Sequence, residues 1–278
     1  MTLTITAIML GIVEGLTEFL PVSSTGHLIL ATKIFGYDDA EWNVFNIVIQ
    51  LGAILAVVVQ FWRTFWAVGH GLIRREPLAF AFVRNVVVAF IPAAVLGVLL
   101  KKRIDVLLTS AEVVAWALLV GGIAILVVER FSKQGNYEGV GQLPVHKALG
   151  VGFFQCLAMI PGMSRSGSTI MGSLAMGINR RTAAEFSFFL AIPTMMGATT
   201  LQLWSNRHAL AAGMGPVGWS EIGIGFVVSF VVALAVIRGF VAYISRSGFA
   251  PFAWYRIVVG IAALLILSPA IGTILGHH

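Results

Sequence analysis

The sequence predicts an all-α polytopic membrane protein made of two inverted repeats, each a re-entrant helical hairpin followed by three transmembrane helices. Three observations carry this. Of the 278 residues, 58% are hydrophobic and only 11% charged, against about 25% charged in soluble domains. Apolar runs near the roughly 20 residues needed to cross a hydrocarbon core recur along the whole length. A weak internal repeat relates the halves: residues 115–126 (AWALLVGGIAIL) and 253–264 (AWYRIVVGIAAL) agree at seven of twelve positions. A single integral membrane domain over 1–278 is expected, with repeat one at about 1–130 and repeat two at about 147–276.

In chain order, residues 2–31 are apolar but interrupted by Glu14, Glu18, Pro21 and the run Ser23-Ser24-Thr25-Gly26. Such a segment is tolerated at membrane depth only where protein buries it or it lines a wet cavity, so it reads as a re-entrant hairpin. Crossings follow at about 43–62, 81–100 and 111–129. Residues 148–175 form the second broken segment, where Pro161 and then Ser164-Arg165-Ser166-Gly167 echo Pro21 and its polar run with one residue inserted. Three more crossings are expected at about 184–204, 219–243 and 252–275. Three crossings per half is an odd number, so the second half must be inverted, as in many transporters.

Charge fixes an orientation. The net charge of +6 does not point to nucleic acid, because the basic residues sit in short loops where the positive-inside effect places them. With the N-terminus outside, twelve basic residues, including Arg63, Arg74, Arg75, Arg238 and Arg256, fall to the inner loops and flanks. Five fall outside, Lys101-Lys102-Arg103 among them. The loop at residues 33–42 then lies outside, the loop at 64–79 lies inside, and the first hairpin opens outward and the second inward. Cys156 is the only cysteine, which excludes an intrachain disulfide. Glu14 and Glu18 interrupt the N-terminal apolar run too early for a cleavable signal peptide.

The polar residues in the hairpins define a candidate site. Glu14 and Glu18 stand four apart, so on a helix their carboxylates project from one face and repel unless a cation or shared proton neutralises them. A divalent-cation site or an acid/base pair follows; a wet helix end is the structural alternative. Pro21 ends the first half-helix, and Ser23, Ser24 or Thr25 can cap the next, whose free amides form an anion site. His27, about a turn on, can serve as acid, base or nucleophile. In the second hairpin Arg165 is the one basic residue not assignable to a loop or crossing end, and it requires an anion: a phosphate, or a salt bridge to Glu14 or Glu18. Ser164, Ser166 and Gly167 supply donors and close backbone approach beside it.

The paired motifs EGLTEFLPVSSTGH (14–27) and PGMSRSGST (161–169), with RTAAEFSFFLAIP at 181–193, resemble the undecaprenyl pyrophosphate phosphatase family, also known for bacitracin resistance. The likeness covers essentially the whole chain; Met163 stands where a small polar residue is frequent. The resemblance implies an inner-membrane enzyme that hydrolyses undecaprenyl pyrophosphate to the monophosphate outside the cytoplasm. It thereby recycles the carrier lipid of peptidoglycan synthesis. A divalent cation, Mg2+ or Ca2+, is implied, and bacitracin would compete indirectly by binding the substrate. Carried over by motif, catalytic roles fall to Glu14, Glu18, Ser24, His27 and Arg165, with Ser23, Thr25 and Ser164 secondary.

In this reading Arg165 and a cation on Glu14 and Glu18 stabilise the transferring phosphoryl group. Ser24 is the preferred nucleophile with His27 as its base or as the later water activator, and direct attack by His27 stays open. A secondary transporter or lipid flippase is the leading alternative, since opposed hairpins are transporter anatomy; intramembrane proteolysis leaves the arginine and glutamates without a role. Oligomeric state is not specified by the sequence, and a homo-oligomer is compatible with it.

Overall fold

The computed structural model describes residues 2–37, 39–108, 110–132, 135–205, 207, 217–244 and 246–267. The described chain is helical, with α1 (Leu3–Thr17), α2 (Ser24–Ile34), α3 (Asp39–Gln60), α4 (Trp62–Ile73), α5 (Pro77–Leu99), α6 (Lys101–Leu108) and α7 (Ala111–Phe131) in its first part. Then come α8 (Val145–Gln155), α9 (Arg165–Ala175), α10 (Arg180–Ser205), α11 (Trp219–Ile244) and α12 (Ala250–Leu267). Among the described residues the only β-type pairing is an isolated bridge between Tyr137 and Ile178.

Five helices, α5, α7, α10, α11 and α12, are long and apolar enough to cross a membrane, and α3 with α4 forms a sixth unit bent by 67°. All six coincide with the expected crossings, although residues 268–275 of the last lie outside the described residues. One expectation is corrected. Residues 64–79 read as an inner loop, yet most of this stretch is helix α4, because Phe61 (φ −107°) breaks α3 and redirects the chain. Pro92 and Pro193 lie inside α5 and α10, which neighbouring helices make tolerable in a membrane bundle.

Both interrupted segments are paired half-helices, α1 with α2 and α8 with α9, and they share local geometry. Ser23 (φ 75°) and Ser164 (φ 71°) are non-glycine residues in the left-handed region at the starts of α2 and α9. Each second half-helix then ends on a left-handed glycine, Gly36 or Gly177, closed by Tyr37 N–H to Thr32 O and by Ile178 N–H to Ser173 O, both 3.0 Å. This is the Schellman ending, in which glycine avoids the Cβ penalty.

Small residues bring the long helices together, as expected where packing rather than hydrophobic exclusion drives association. A Cβ on Gly122 of α7 would lie 2.8 Å from Ala253 O of α12, and one on Gly260 of α12 would lie 3.0 Å from Ala115 O of α7. The α1–α11 crossing is similarly close at Gly11 and Gly15, against the carbonyls of Gly225 and Ser229. A phenylalanine cluster fills the centre: Phe19 meets Phe188 edge-on at 5.3 Å, and Phe61, Phe189 and Phe240 continue it. At the basic end Asn85 donates to Val140 O and Leu143 O at 2.8 Å, Arg238 to Gln60 at 2.8 Å, and Arg180 pairs with Glu129 at 3.3 Å.

Candidate active site

The turns of the two helix pairs meet inside the bundle, and the candidate residues meet there with them. Glu18 caps α1 in helical conformation (φ −62°, ψ −41°), so its side chain follows Glu14 by one turn. Glu14 is fully buried and neither of its carboxylate oxygens has a hydrogen-bond partner. Glu18 is also buried, but both its oxygens are engaged: Oε1 by Arg165 Nη2 at 2.8 Å, and Oε2 by the hydroxyl of Ser24.

Arg165 is therefore the far half of a salt bridge that joins the two hairpins. Its Nη1 donates to Ser187 O at 2.8 Å, its guanidinium lies 5.9 Å from the centre of the Phe19 ring, and its buried Nε–H has no partner. Thr169 steadies this arrangement by donating to Ser187 Oγ at 2.7 Å. Orphaned buried polar atoms are rare in folded proteins; here they are the carboxylate of Glu14 and the Nε–H of Arg165, an acceptor pair and a donor within one site.

The serines act mainly on the backbone. Ser164 caps α9 by accepting from Gly167 N at 3.0 Å, and Ser23 accepts weakly from Gly26 N at 3.4 Å. Ser166 donates to Leu20 O at 2.7 Å, tying α9 to the turn of the first hairpin. Since its single proton is used there, the 3.0 Å contact between Ser164 and Ser166 must be donated by Ser164. Thr25 is half-buried next to Ser24. The start of α9 thus meets the first hairpin's turn through Ser166 and Arg165, and a Cβ on Gly26 in the first turn of α2 would lie 3.8 Å from Gly162 Cα in the second hairpin's turn; free amides at such helix starts favour an anion.

His27 is turned away from Ser24. Its Nδ1 lies 2.7 Å from Ser23 O and so carries the proton, which leaves Nε2 to accept from Tyr255 Oη at 2.7 Å. The two rings are nearly parallel, with an interplanar angle of 10°. The hydroxyl of Ser24 is committed to Glu18, not to His27.

Arg256 corrects the sequence reading. Expected at an inner flank, it is 1% exposed within α12. Its guanidinium donates to five carbonyls: Pro21 O (3.1 Å) in the first turn, Gly162 O and Met163 O (both 2.9 Å) in the second, and Ala117 O (3.0 Å) and Leu118 O (3.3 Å) on α7. Gly121 makes the room, since a Cβ there would fall 2.0 Å from Nη2. Arg165 is therefore not the only arginine inside the bundle. The signal was available: Arg256 interrupts an apolar run, the argument that singled out Arg165. Tyr255 and Ser187 carried no comparable signal, because each is unremarkable in its helix until the partner is known.

Among the described residues no three side chains of metal-ligating type cluster. The donor set still fits a hard cation, because Mg2+ is commonly held by one or two carboxylates plus substrate phosphate and water. Glu14, with both oxygens orphaned, fits the part of principal ligand; Glu18 has its oxygens shared with Arg165 and Ser24.

Comparison with known proteins finds relatives that match nearly the whole chain. The chain is 72% identical over 260 residues to the undecaprenyl-diphosphatase of Novosphingobium aromaticivorans, covering 94% of this chain and 96% of the relative. It is 56% identical over 263 residues to that of Sphingopyxis alaskensis (95% and 97%) and 46% over 263 residues to that of Rhodopseudomonas palustris (94% and 96%). With residues 7–262 matching its family model, the chain belongs to the family of the bacitracin resistance protein BacA.

Proposed function

We propose that the protein is an undecaprenyl-diphosphatase, a membrane hydrolase that converts undecaprenyl diphosphate to undecaprenyl phosphate and phosphate and so returns the carrier lipid to peptidoglycan synthesis. The observation that carries this reading is the joining of Ser24, Glu18 and Arg165 across the two hairpins. Each part answers a need of phosphoryl transfer: a nucleophile with a base, and donors aimed at developing negative charge.

Ser24 Oγ attacks the terminal phosphorus while Glu18 Oε2 takes its proton. The bond from that phosphorus to the bridging oxygen breaks, and undecaprenyl phosphate leaves. Arg165 orients Glu18 through Oε1 and offers its free Nε–H, with the first-turn amides of α2 and α9, to the phosphoryl oxygens. Water then attacks the phosphorus of the phosphoserine and gives its proton to His27 Nε2, which releases the Tyr255 contact; the bond from phosphorus to Ser24 Oγ breaks, Glu18 returns its proton to that oxygen, and phosphate leaves. A divalent cation on Glu14 and Glu18 would neutralise diphosphate charge and align the terminal phosphate.

The inverted-repeat reading is supported by the matched geometry at Ser23 and Ser164 and at Gly36 and Gly177. It is supported too by the reciprocal contacts of Gly122 and Gly260 across α7 and α12, the segments that align in sequence. Placement of the site toward the periplasm rests on the charge count: with Arg256 assigned to the interior, eleven basic residues fall to the inner loops and flanks against five outside. The test is phosphate release by the purified protein from a long-chain polyprenyl diphosphate, with and without a chelator. Release that the chelator abolishes, and that Glu14→Gln shifts to higher cation concentration, is expected. No release under any cation would overturn the hydrolase reading and favour transport of the lipid; release indifferent to chelator would remove the cation alone.

A further inference from the structure

Helix α4 and the turn after it form a surface that phosphoryl transfer does not use. Three faces can be read around this helix. Phe65 turns inward onto Phe189, with ring centres 5.4 Å apart. Trp62, Trp66 and Ile73 share a second face and are 55%, 65% and 80% exposed. Arg63 and His70 occupy a third, exposed face, and Arg74 and Arg75 extend it into the turn. A helix crossing the bilayer would not carry that third face, and one standing in water would not carry the second.

The turn is built to present charge. It closes as a Schellman ending, with Glu76 N–H on Gly71 O (2.8 Å) and Arg75 N–H on Leu72 O (3.1 Å). Its left-handed position, where glycine is the default, holds Arg75 at φ 57°. Glu76, the carboxylate of this stretch, folds back over Gly71, where an added Cβ would meet its Oε2 at 3.0 Å. Arg63 packs beside Trp62, 5.8 Å from the ring centre, and His70 beside Trp66 at 4.8 Å. The 67° bend from α3 turns the helix well away from that crossing.

We propose that α4 lies in the plane of the membrane interface, with Trp62, Trp66 and Ile73 among acyl chains, and that Arg63, Arg74 and Arg75 bind the headgroups of anionic phospholipids. Charge complementarity selects this occupant: three exposed guanidiniums beside aromatic anchors match a phosphate-bearing surface, whereas zwitterionic headgroups offer no net charge to them. The inference rests on the membrane reading and not on the hydrolase reading.

The test uses the full chain in nanodiscs of mixed phosphatidylglycerol and phosphatidylcholine. Native mass spectrometry of released protein gives the ratio of the two lipids retained. At about fivefold per arginine, the three compound, and the triple variant Arg63→Gln/Arg74→Gln/Arg75→Gln is expected to lose on the order of a hundredfold in its preference for phosphatidylglycerol. The corresponding triple lysine variant should keep most of it. In a Cys156→Ala background, spin labels at 66 and 73 are expected in the acyl region and one at 70 at headgroup depth. A glutamine variant with wild-type preference, or labels at 66 and 73 as open to water as that at 70, would overturn the proposal. Hydrolysis by the glutamine variant in detergent is expected at the wild-type rate, so failure here is distinguishable from failure of the hydrolase reading.

Discussion

Arg256 offers the most direct perturbation of the architecture that creates the site. Three of its five bonds go to carbonyls in the two turns, Pro21, Gly162 and Met163. The other two reach carbonyls within helix α7. Truncation to Met strands the turn carbonyls at about 1–2 kcal/mol each, or about 3–6 kcal/mol in all, which is comparable to the whole stability of many domains. Arg256→Lys is therefore the more useful variant: an ammonium has three donors and cannot reproduce the fork, so a loss of about 2 kcal/mol is expected. Gly121→Ala attacks the same clamp from the other side, placing a methyl 2.0 Å from Nη2, at a cost of about 1–3 kcal/mol for overpacking. Thermal unfolding in detergent, read beside turnover, is the assay. Both variants should unfold earlier and turn over more slowly, because misplacing catalytic groups by about 1 Å can cost about a hundredfold. Combined, their losses should fall short of the sum, since they break one interaction. Wild-type unfolding and turnover in Gly121→Ala would refute the clamp.

Two further outcomes follow from the site and its orientation. Arg165→Lys keeps the charge but cannot hold Glu18 Oε1 and Ser187 O while still presenting an Nε–H, so kcat/KM should fall by about a hundredfold; near-native turnover would remove Arg165 from phosphate binding. In a Cys156→Ala background of intact cells, a cysteine in the α2–α3 turn should react with an impermeant thiol reagent while one in the α4–α5 turn should not, and the reverse pattern would move the site to the cytoplasmic side.

The architecture was legible because membrane helices carry strong, local signals. Runs such as 81–100 and 111–129 announce crossings by length and apolarity, and Pro21 and Pro161 mark the breaks where the chain turns back. Glu14, Glu18, Ser24 and Arg165 stood out as polar groups where polarity is expensive, and the structure brings Glu18, Ser24 and Arg165 into direct contact. What the sequence left hidden was pairing. Glu18, not His27, receives the Ser24 hydroxyl, and both ring nitrogens of His27 are engaged elsewhere, by Ser23 O and by Tyr255, 228 residues away. Arg256 was assigned to a flank because it lies near the start of its apolar run. Only the approach of both turns to α7 shows that its partners are carbonyls, which leave no trace in side-chain identity. Helix α4 was read as loop because its apolar residues divide between two faces, which disguises its period.

The central claim is that Ser24 attacks phosphorus with Glu18 as its base. It is tested most directly by rapid quench of the purified protein with substrate labelled in the terminal phosphate, followed by mapping of the trapped residue. The account expects an acid-stable phosphoserine at Ser24 that is absent in Ser24→Ala, although that variant still binds substrate, and slower formation of the adduct in Glu18→Gln. An acid-labile, base-stable adduct at His27, surviving in Ser24→Ala, would contradict it.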